Sequence, residues 1–160
     1  MTNLPEGAAD RDAAVDRILS ALPNFVNAVV QLNELIAERM GVVPTDLHCL
    51  HELHRRGPMT ARDLAEHLGR SPGAVSRMID RLDAAGCVHR ADDPDDRRRV
   101  LISPTRQGLR RVADYYAGLT VRTRDDLADL DERGLWMLAS FLTTGQESTR
   151  AEVDRLRAAR

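Results

Sequence analysis

Between Met59 and Gly108 the chain sets Ser71, Gly73, Ala74, Ser76 and Arg77 within two turns of one helical pattern, and ends an acid-rich turn with Arg97, Arg98 and Arg99. None of these makes or breaks bonds as spaced here; they are hydrogen-bonding and anion-contacting groups. A helix that starts with small residues can enter the major groove of duplex DNA, about 12 Å wide, where each base pair shows its own pattern of donors and acceptors. Glycine and alanine let the backbone approach closely, Ser76 can donate or accept, and Arg77 can make a forked contact with guanine. Thr60, Arg62, Arg70, Arg81 and Arg90 are spaced for phosphate oxygens, which fix position without reading sequence. The competing reading, a helical hairpin with solvated arginines, fits each residue singly. It weakens once the triple arginine is added, because arginines at a hairpin tip have no core role and suit the negative potential of the minor groove.

Other chemistry-bearing residues do not assemble. His48, His51 and His54 share one helical pattern with Cys49, but His54 falls six residues from His48 and no carboxylate completes a zinc-like set, so they read as surface or interface histidines and no metal or cofactor is expected. Cys49 and Cys87 form no CxxC pair and sit in apolar patterns, which points to free thiols in a reducing cytoplasm. No nucleophile elbow, phosphate loop or HExxH motif occurs, so an enzyme is not expected.

The elements that must hold these residues follow from apolar spacing. Residues 1–9 read as a disordered tail. Val15, Ile18, Leu19, Leu22, Phe25, Val26, Val29, Leu32, Ile36 and Met40 then recur at three- and four-residue steps, a long helix with one apolar stripe. Pro23 should kink it or mark a start nearby. Gly41 and Pro44 break the pattern; Thr45 caps a second helix carrying Leu47, Leu50 and Leu53. Thr60 caps a third with Leu64, Ala65 and Leu68 inside, Gly69 supplies the exit, and Ser71-Pro72 starts the fourth. There Val75, Met78, Ile79 and Leu82 face inward. Gly86 ends the helix, and Cys87–Arg90 with Val100 and Ile102 reads as a β-hairpin around Asp92–Asp96. Thr105 caps a fifth helix with Leu109, Val112, Tyr116 and Leu119. Asp131 caps a sixth with Leu135, Leu138, Phe141 and Leu142 inside, interrupted near Gly145.

The net charge of −2 argues on its face against a polyanion partner, but it averages unlike segments. Residues 1–54 carry 3 arginines against 8 acids, residues 55–112 carry 13 against 8, and the remainder 7 against 9. A positive centre between acidic flanks suits a protein that meets DNA with one face. No run reaches the roughly 20 apolar residues of a membrane span, and the N-terminus lacks the pattern of a signal peptide.

The run DLAEHLGRSPGAVSRMIDRLDAAGCVHR followed by DDPDDRRRVLISPTRQG resembles the MarR family of winged helix-turn-helix transcriptional regulators, with the hallmark Asp96-Arg97-Arg98 and the later Thr105 to Gly108 in place. Pro104 departs from the leucine usual before that threonine. The resemblance implies a mainly α fold with a small β-hairpin, divided into an N-terminal dimerisation helix (10–44), a winged helix-turn-helix lobe (45–104) and C-terminal dimerisation helices (105–160). It also implies a homodimer on a near-palindromic operator, a recognition helix over Ser71 to Ala85, Arg98 as the wing arginine and Asp96 bracing it. Relatives that bind small aromatic or phenolic anions suggest a cleft lined by Val29, Ile36, His51, Tyr115 and Tyr116. The expected function is a cytoplasmic DNA-binding repressor released by a small ligand. The alternatives are a zinc-responsive regulator of the same fold and a winged-helix protein-interaction module without DNA binding.

Overall fold

A computed structural model of the chain describes residues 6–159, with side chains from residue 10 onward. In order it shows α1 (Glu6–Met40), α2 (Pro44–Arg56), β1 (Met59–Thr60), α3 (Ala61–Leu68), α4 (Pro72–Ala84), β2 (Val88–Asp92), β3 (Val100–Pro104), α5 (Arg106–Asp126) and α6 (Glu132–Ala158). The chain divides after Tyr115 into two compact units, so α5 begins in the first and ends in the second. The tail expected over residues 1–9 lies outside the described residues as far as residue 5, while the backbone of residues 6–9 is part of α1.

α1 runs 35 residues without a break, about 52 Å at the usual helical rise. Pro23 lies inside it and does not mark a start, so that alternative of the sequence expectation is not met. The donor that proline lacks would have met the carbonyl of Leu19, and that residue is 59 % exposed, so water can serve the freed carbonyl. Only the last turns of α1 are sealed, where Ile36, Ala37 and Met40 pack on the lobe. Thr45 is not the cap of α2. The cap is Val43, with Pro44 at the first helical position and the Asp46 carboxylate accepting from the Val43 backbone N–H at 3.1 Å. An acid at the third helical position does this cap's work from inside the helix, so Thr45 is left on the surface.

α3 and α4 begin as the sequence predicts. The Thr60 hydroxyl accepts from the Asp63 N–H at 3.2 Å and the Ser71 hydroxyl from the Ala74 N–H at 3.3 Å. Gly69, at φ +58°, takes the left-handed turn that separates the helices, where a side chain would be strained. Val75, Met78, Ile79 and Leu82 are all buried, as their spacing requires, against Leu50, Leu53 and Leu64 in the lobe core.

The hairpin is longer than its sequence signal and has a third member. The strand order is β1-β3-β2, all antiparallel, with Ile102 opposite both Met59 and Arg90. β1 spans two residues, too few to show a period of two. Val100 and Ile102 share a face, but Ile102 is 2 % exposed and Val100 46 %. The strands run past the edge of the core there, so the outer pair belongs to a projecting wing.

Behind the wing, α5 is joined tightly to the end of α4. The Thr105 hydroxyl donates to the Gly86 carbonyl at 2.6 Å and accepts from the Gly108 N–H at 2.9 Å, and the Thr105 N–H reaches the Cys87 carbonyl at 2.8 Å. A Cβ on Gly108 would stand 2.6 Å from Cys87 Cα and 2.8 Å from its carbonyl oxygen. The Thr-x-x-Gly spacing is thus a cap plus a close backbone approach. Pro104 ends β3 opposite Val88, past the stretch that β1 covers, so its missing donor takes nothing from the β1 pairing.

In the second unit, the Asp131 carboxylate caps α6 through the Gly134 N–H at 2.7 Å. α6 then continues for 27 residues through Gly145, which does not interrupt it. Leu135, Leu138, Phe141 and Leu142, expected inside, are 37–57 % exposed. Their spacing is correct for an apolar face, but nothing in the unit covers it.

Gly108→Ala should cost about 1–3 kcal/mol by overpacking backbone against backbone. Gly145→Ala, with nothing within 4 Å of the added carbon, should leave stability unchanged or raise it. Paired urea melts check both; equal stabilities would remove the close-approach account of Gly108.

Candidate nucleic-acid interface

The outer side of α4 is built from what its apolar stripe leaves over. Gly73, Ser76 and Arg77 are exposed and Ala74 is half-buried, with the N-cap Ser71 exposed at the helix start. Arg77 lies back along the helix, its Nη1 3.8 Å from where a Cβ on Gly73 would stand. Among the described residues neither Arg77 nor Arg70 joins an ion pair. The residues expected to read bases therefore lie on the side of α4 away from its buried stripe, with Arg77 exposed among them.

Two of the four arginines assigned to phosphate, Arg81 and Arg90, are otherwise engaged. Arg81 makes a two-pronged contact with Asp46, Nε to Oδ2 at 2.8 Å and Nη2 to Oδ1 at 2.7 Å, and Asp46 is fully buried. That contact raises the Arg81 pKa further, against the opposing effect of burial. Arg90 bridges Asp80 and Asp83 on α4, binding the first wing strand to the helix. Arg62 pairs with Glu66 one turn on, but both remain largely exposed, so this weak pair leaves Arg62 accessible. Thr60 is occupied in its capping box, where its hydroxyl donates to Asp63 Oδ2 at 2.7 Å and holds that carboxylate below its usual range.

The wing arginines divide into roles that the sequence does not distinguish. Asp96 Oδ1 accepts from both the backbone N–H and Nε of Arg98 at 3.1 Å, leaving Arg98 91 % exposed on a fixed stem. The same bonds hold the Asp96 pKa down. Arg97 has no ion pair among the described residues. Arg99 turns inward, to Asp63 of α3 at 3.5 Å and to the buried Asp93 at 3.7 Å, while the Asp93 N–H donates to the Arg99 carbonyl at 2.9 Å. It anchors the wing base, so the triple arginine is two outward groups and one tether.

Beneath the interface, α2 carries a second buried acid. Glu52 Oε2 accepts from Arg55 at 2.8 Å and Arg56 at 3.1 Å and lies 2.6 Å from His67 Nε2 at the end of α3. Burial alone would push its pKa up, but the bonds from Arg55, His67 and Arg56 outweigh it and hold it down at about 2. Arg111 of α5 donates to the Ala85 carbonyl at 2.9 Å, closing the end of α4. Sequence reasoning missed Asp46, Glu52, His67, Asp93 and Arg111. A charged residue at an apolar-stripe position was the available signal for Asp46 and Glu52, but its partner is remote in sequence.

Among the described residues no three His, Cys, Asp or Glu side chains are placed to hold a metal ion. His51 and His54 are exposed on α2. Cys49 and Cys87 are buried free thiols. Burial, then the nearby Asp46 charge, pushes Cys49 up to about 12, and burial raises Cys87, so neither is a ready nucleophile. Of the expected cleft residues, Ile36 is sealed in the core, Val29 and Tyr116 are half-buried, and His51 and Tyr115 are exposed.

The family model described as MarR family matches residues 36–100, which span the lobe and most of the wing. The chain is 35 % identical over 128 residues to the HTH-type transcriptional regulator YcgE of Bacillus subtilis, covering 80 % of this chain and 83 % of that one. It is 30 % identical to the HTH-type transcriptional repressor MdtR of the same organism, over 73 % and 74 % of the two chains. Among solved structures, RV1404 of Mycobacterium tuberculosis superposes with a TM-score of 0.63 at 27 % identity, covering 82 % of this chain and 94 % of that one.

Glu52→Gln tests the buried carboxylate. Its folded-state pKa is depressed from an ordinary value of 4.5 to about 2, so its contribution is present above pH 4.5 and is lost as pH falls through that window. The variant should be less stable than the parent by about 1.5–3 kcal/mol at pH 7, a gap that closes on acidification. Urea unfolding at pH 7, 4 and 2.5 measures it; a pH-independent gap would mean that Glu52 contributes by packing and not by charge.

Proposed function

The chain belongs to the MarR family of transcriptional regulators and is not an enzyme, and on that premise we propose that it is a homodimeric repressor that reads a near-palindromic DNA operator in the cytoplasm. In this reading α4 lies in the major groove, with Ser71, Gly73, Ala74, Ser76 and Arg77 toward base edges. Arg97 and Arg98 enter the adjoining minor groove, and Arg62 and Arg70 meet phosphates. The observation that carries it is the partition of arginines in the lobe. Arg81, Arg90 and Arg99 are tied to acids of the fold, whereas Arg70, Arg77 and Arg97 stand exposed and unpaired among the described residues, and Arg98 is braced outward. A protein-interaction module would have no use for that set.

Dimerisation through the terminal helices is supported by apolar surface on each. On α1, Ile18, Leu19, Phe25 and Val26 are 49–62 % exposed, and on α6 Trp136, Met137 and Leu142 are 57–68 % exposed. Contiguous apolar faces of this kind mark association surfaces. A twofold dimer would set its reading helices about one DNA turn apart, roughly 34 Å. Repression is favoured by the likeness to MdtR, whose name describes a repressor. Release by a small aromatic or phenolic ligand is part of the proposal, with Val29, His51 and Tyr115 as its contacts.

Duplexes selected by the protein from a random pool, compared with scrambled duplex in a salt titration, test the reading. Selected sequences should be palindromic and binding should fall steeply with salt; no preference, or salt-insensitive binding, would overturn it. Arg98→Ala should weaken binding to every duplex and lower the salt slope by about one, while Arg77→Ala should cost about 1–3 kcal/mol and relax preference at one base position. Equal losses on all sequences for Arg77→Ala would remove its base-reading role.

A further inference from the structure

We propose that Asp46 and Arg81 form a positioning pair that sets the rotation of α4 about its own axis and so determines operator specificity, with Arg81 withdrawn from the DNA backbone. The inference rests on the function proposed above and adds to it a residue pair outside the reading surface.

Apolar contacts hold α4 to the lobe but direct it loosely. Val75, Met78, Ile79 and Leu82 are buried whether or not the helix turns by a few degrees, because burial is non-directional. Side-chain tips stand about 5–6 Å from a helix axis, so a 10° rotation moves them by roughly 1 Å. That exceeds the roughly 0.5 Å within which a forked contact must be held. A directional constraint is needed, and the bidentate Arg81–Asp46 contact supplies it, with N–O distances of 2.8 and 2.7 Å.

The two ends of the pair are themselves fixed. Asp46 is fully buried and its Oδ2 also accepts the Val43 N–H, so it is tied to the start of α2. Arg81 lies four residues beyond Arg77, on the same face one turn along, so what holds Arg81 sets where Arg77 starts from. Breaking the pair leaves a buried carboxylate without its cation, so the helix cannot rotate away cheaply. Sequence position alone would place Arg81 on phosphate, and the two assignments predict different binding behaviour.

The test uses the full-length protein, the duplex it selects from a random pool, and a scrambled duplex, with Asp46→Asn, Arg81→Lys, Arg81→Gln and the Asp46→Asn/Arg81→Gln double variant. Thermal melting first establishes which variants fold; Arg81→Lys keeps the charge but not the fork and serves if Asp46→Asn does not fold. For the folded variants, preference for the selected duplex should fall about tenfold, the equivalent of one base contact, with scrambled-duplex affinity unchanged. The double variant should lose no more than either single one, as coupled residues do. The salt slope should stay the same in Arg81→Gln, since no phosphate contact is removed.

Three results would overturn the proposal. The first is an unchanged preference in folded variants, which would confine the pair to stability. The second is a salt slope lower by about one in Arg81→Gln, which would put Arg81 on a phosphate. The third is tighter binding of Asp46→Asn to both duplexes, as expected if Asp46 merely masks a DNA-contacting cation. A wild-type protein that selects no duplex would instead overturn the functional reading itself, and this inference with it.

Discussion

Two carboxylates buried in α2 are the constraint on which the lobe turns. Removing an acid from water is costly unless a cation and further donors meet it. Asp46 and Glu52, fully buried and 3 % exposed, both lie on α2, and each is met from a different helix of the helix-turn-helix: Asp46 by Arg81 of α4, Glu52 by His67 of α3. Both helices are therefore referred to one platform. Among the described residues no buried side-chain nitrogen or oxygen lacks a partner. The apolar core supplies most of the favourable burial and the ionic contacts supply direction, since dispersion and burial tolerate small rotations and forked hydrogen bonds do not.

The same economy of directional contacts governs the far end of α4. Its exit through Gly86 and Cys87 is gripped by Thr105, Gly108 and Arg111, all within the first two turns of α5. Gly108 lets the backbone of α5 approach the backbone of Cys87, just past the end of α4. The wing is fastened separately. Arg90 ties β2 to α4 through Asp80 and Asp83, and Arg99 ties the loop to α3 through Asp63. Reading helix and wing are thus held as one body by contacts of opposite charge that lie away from the proposed DNA surface.

Charge in this lobe consequently has two populations. An excess of arginine over acid in the central segment suggests a basic face, yet much of it is internal bookkeeping of the fold, each such arginine being matched to a named acid. The arginine left facing solvent is less and more localised: Arg77 on the outer side of α4, and the two outward members of the triple arginine. The exposed apolar faces of α1 and α6 are the surfaces through which the proposed dimer would form.

The sequence by itself determined the order of the helices and the hairpin, the inward stripe of α4, the caps at Thr60, Ser71, Thr105 and Asp131, and the family, because these depend on spacings of three, four or two residues along one chain. The outward set Gly73, Ser76 and Arg77 followed from the same periodicity. What only the tertiary structure decided was which arginines are free. Arg81 and Asp46 are 35 residues apart in sequence, and Glu52 and His67 are 15 apart, so no local pattern joins them. Arg97, Arg98 and Arg99 are identical in type and adjacent in the chain, yet one faces an acid of α3 and two face solvent. The start of α2 at Val43 and the two-residue strand β1 escaped for a related reason, since an acid inside the helix and a distant strand partner fixed them. Periodicity tells which side of an element faces the core; which polar group meets which across the core is set by packing between segments remote in sequence.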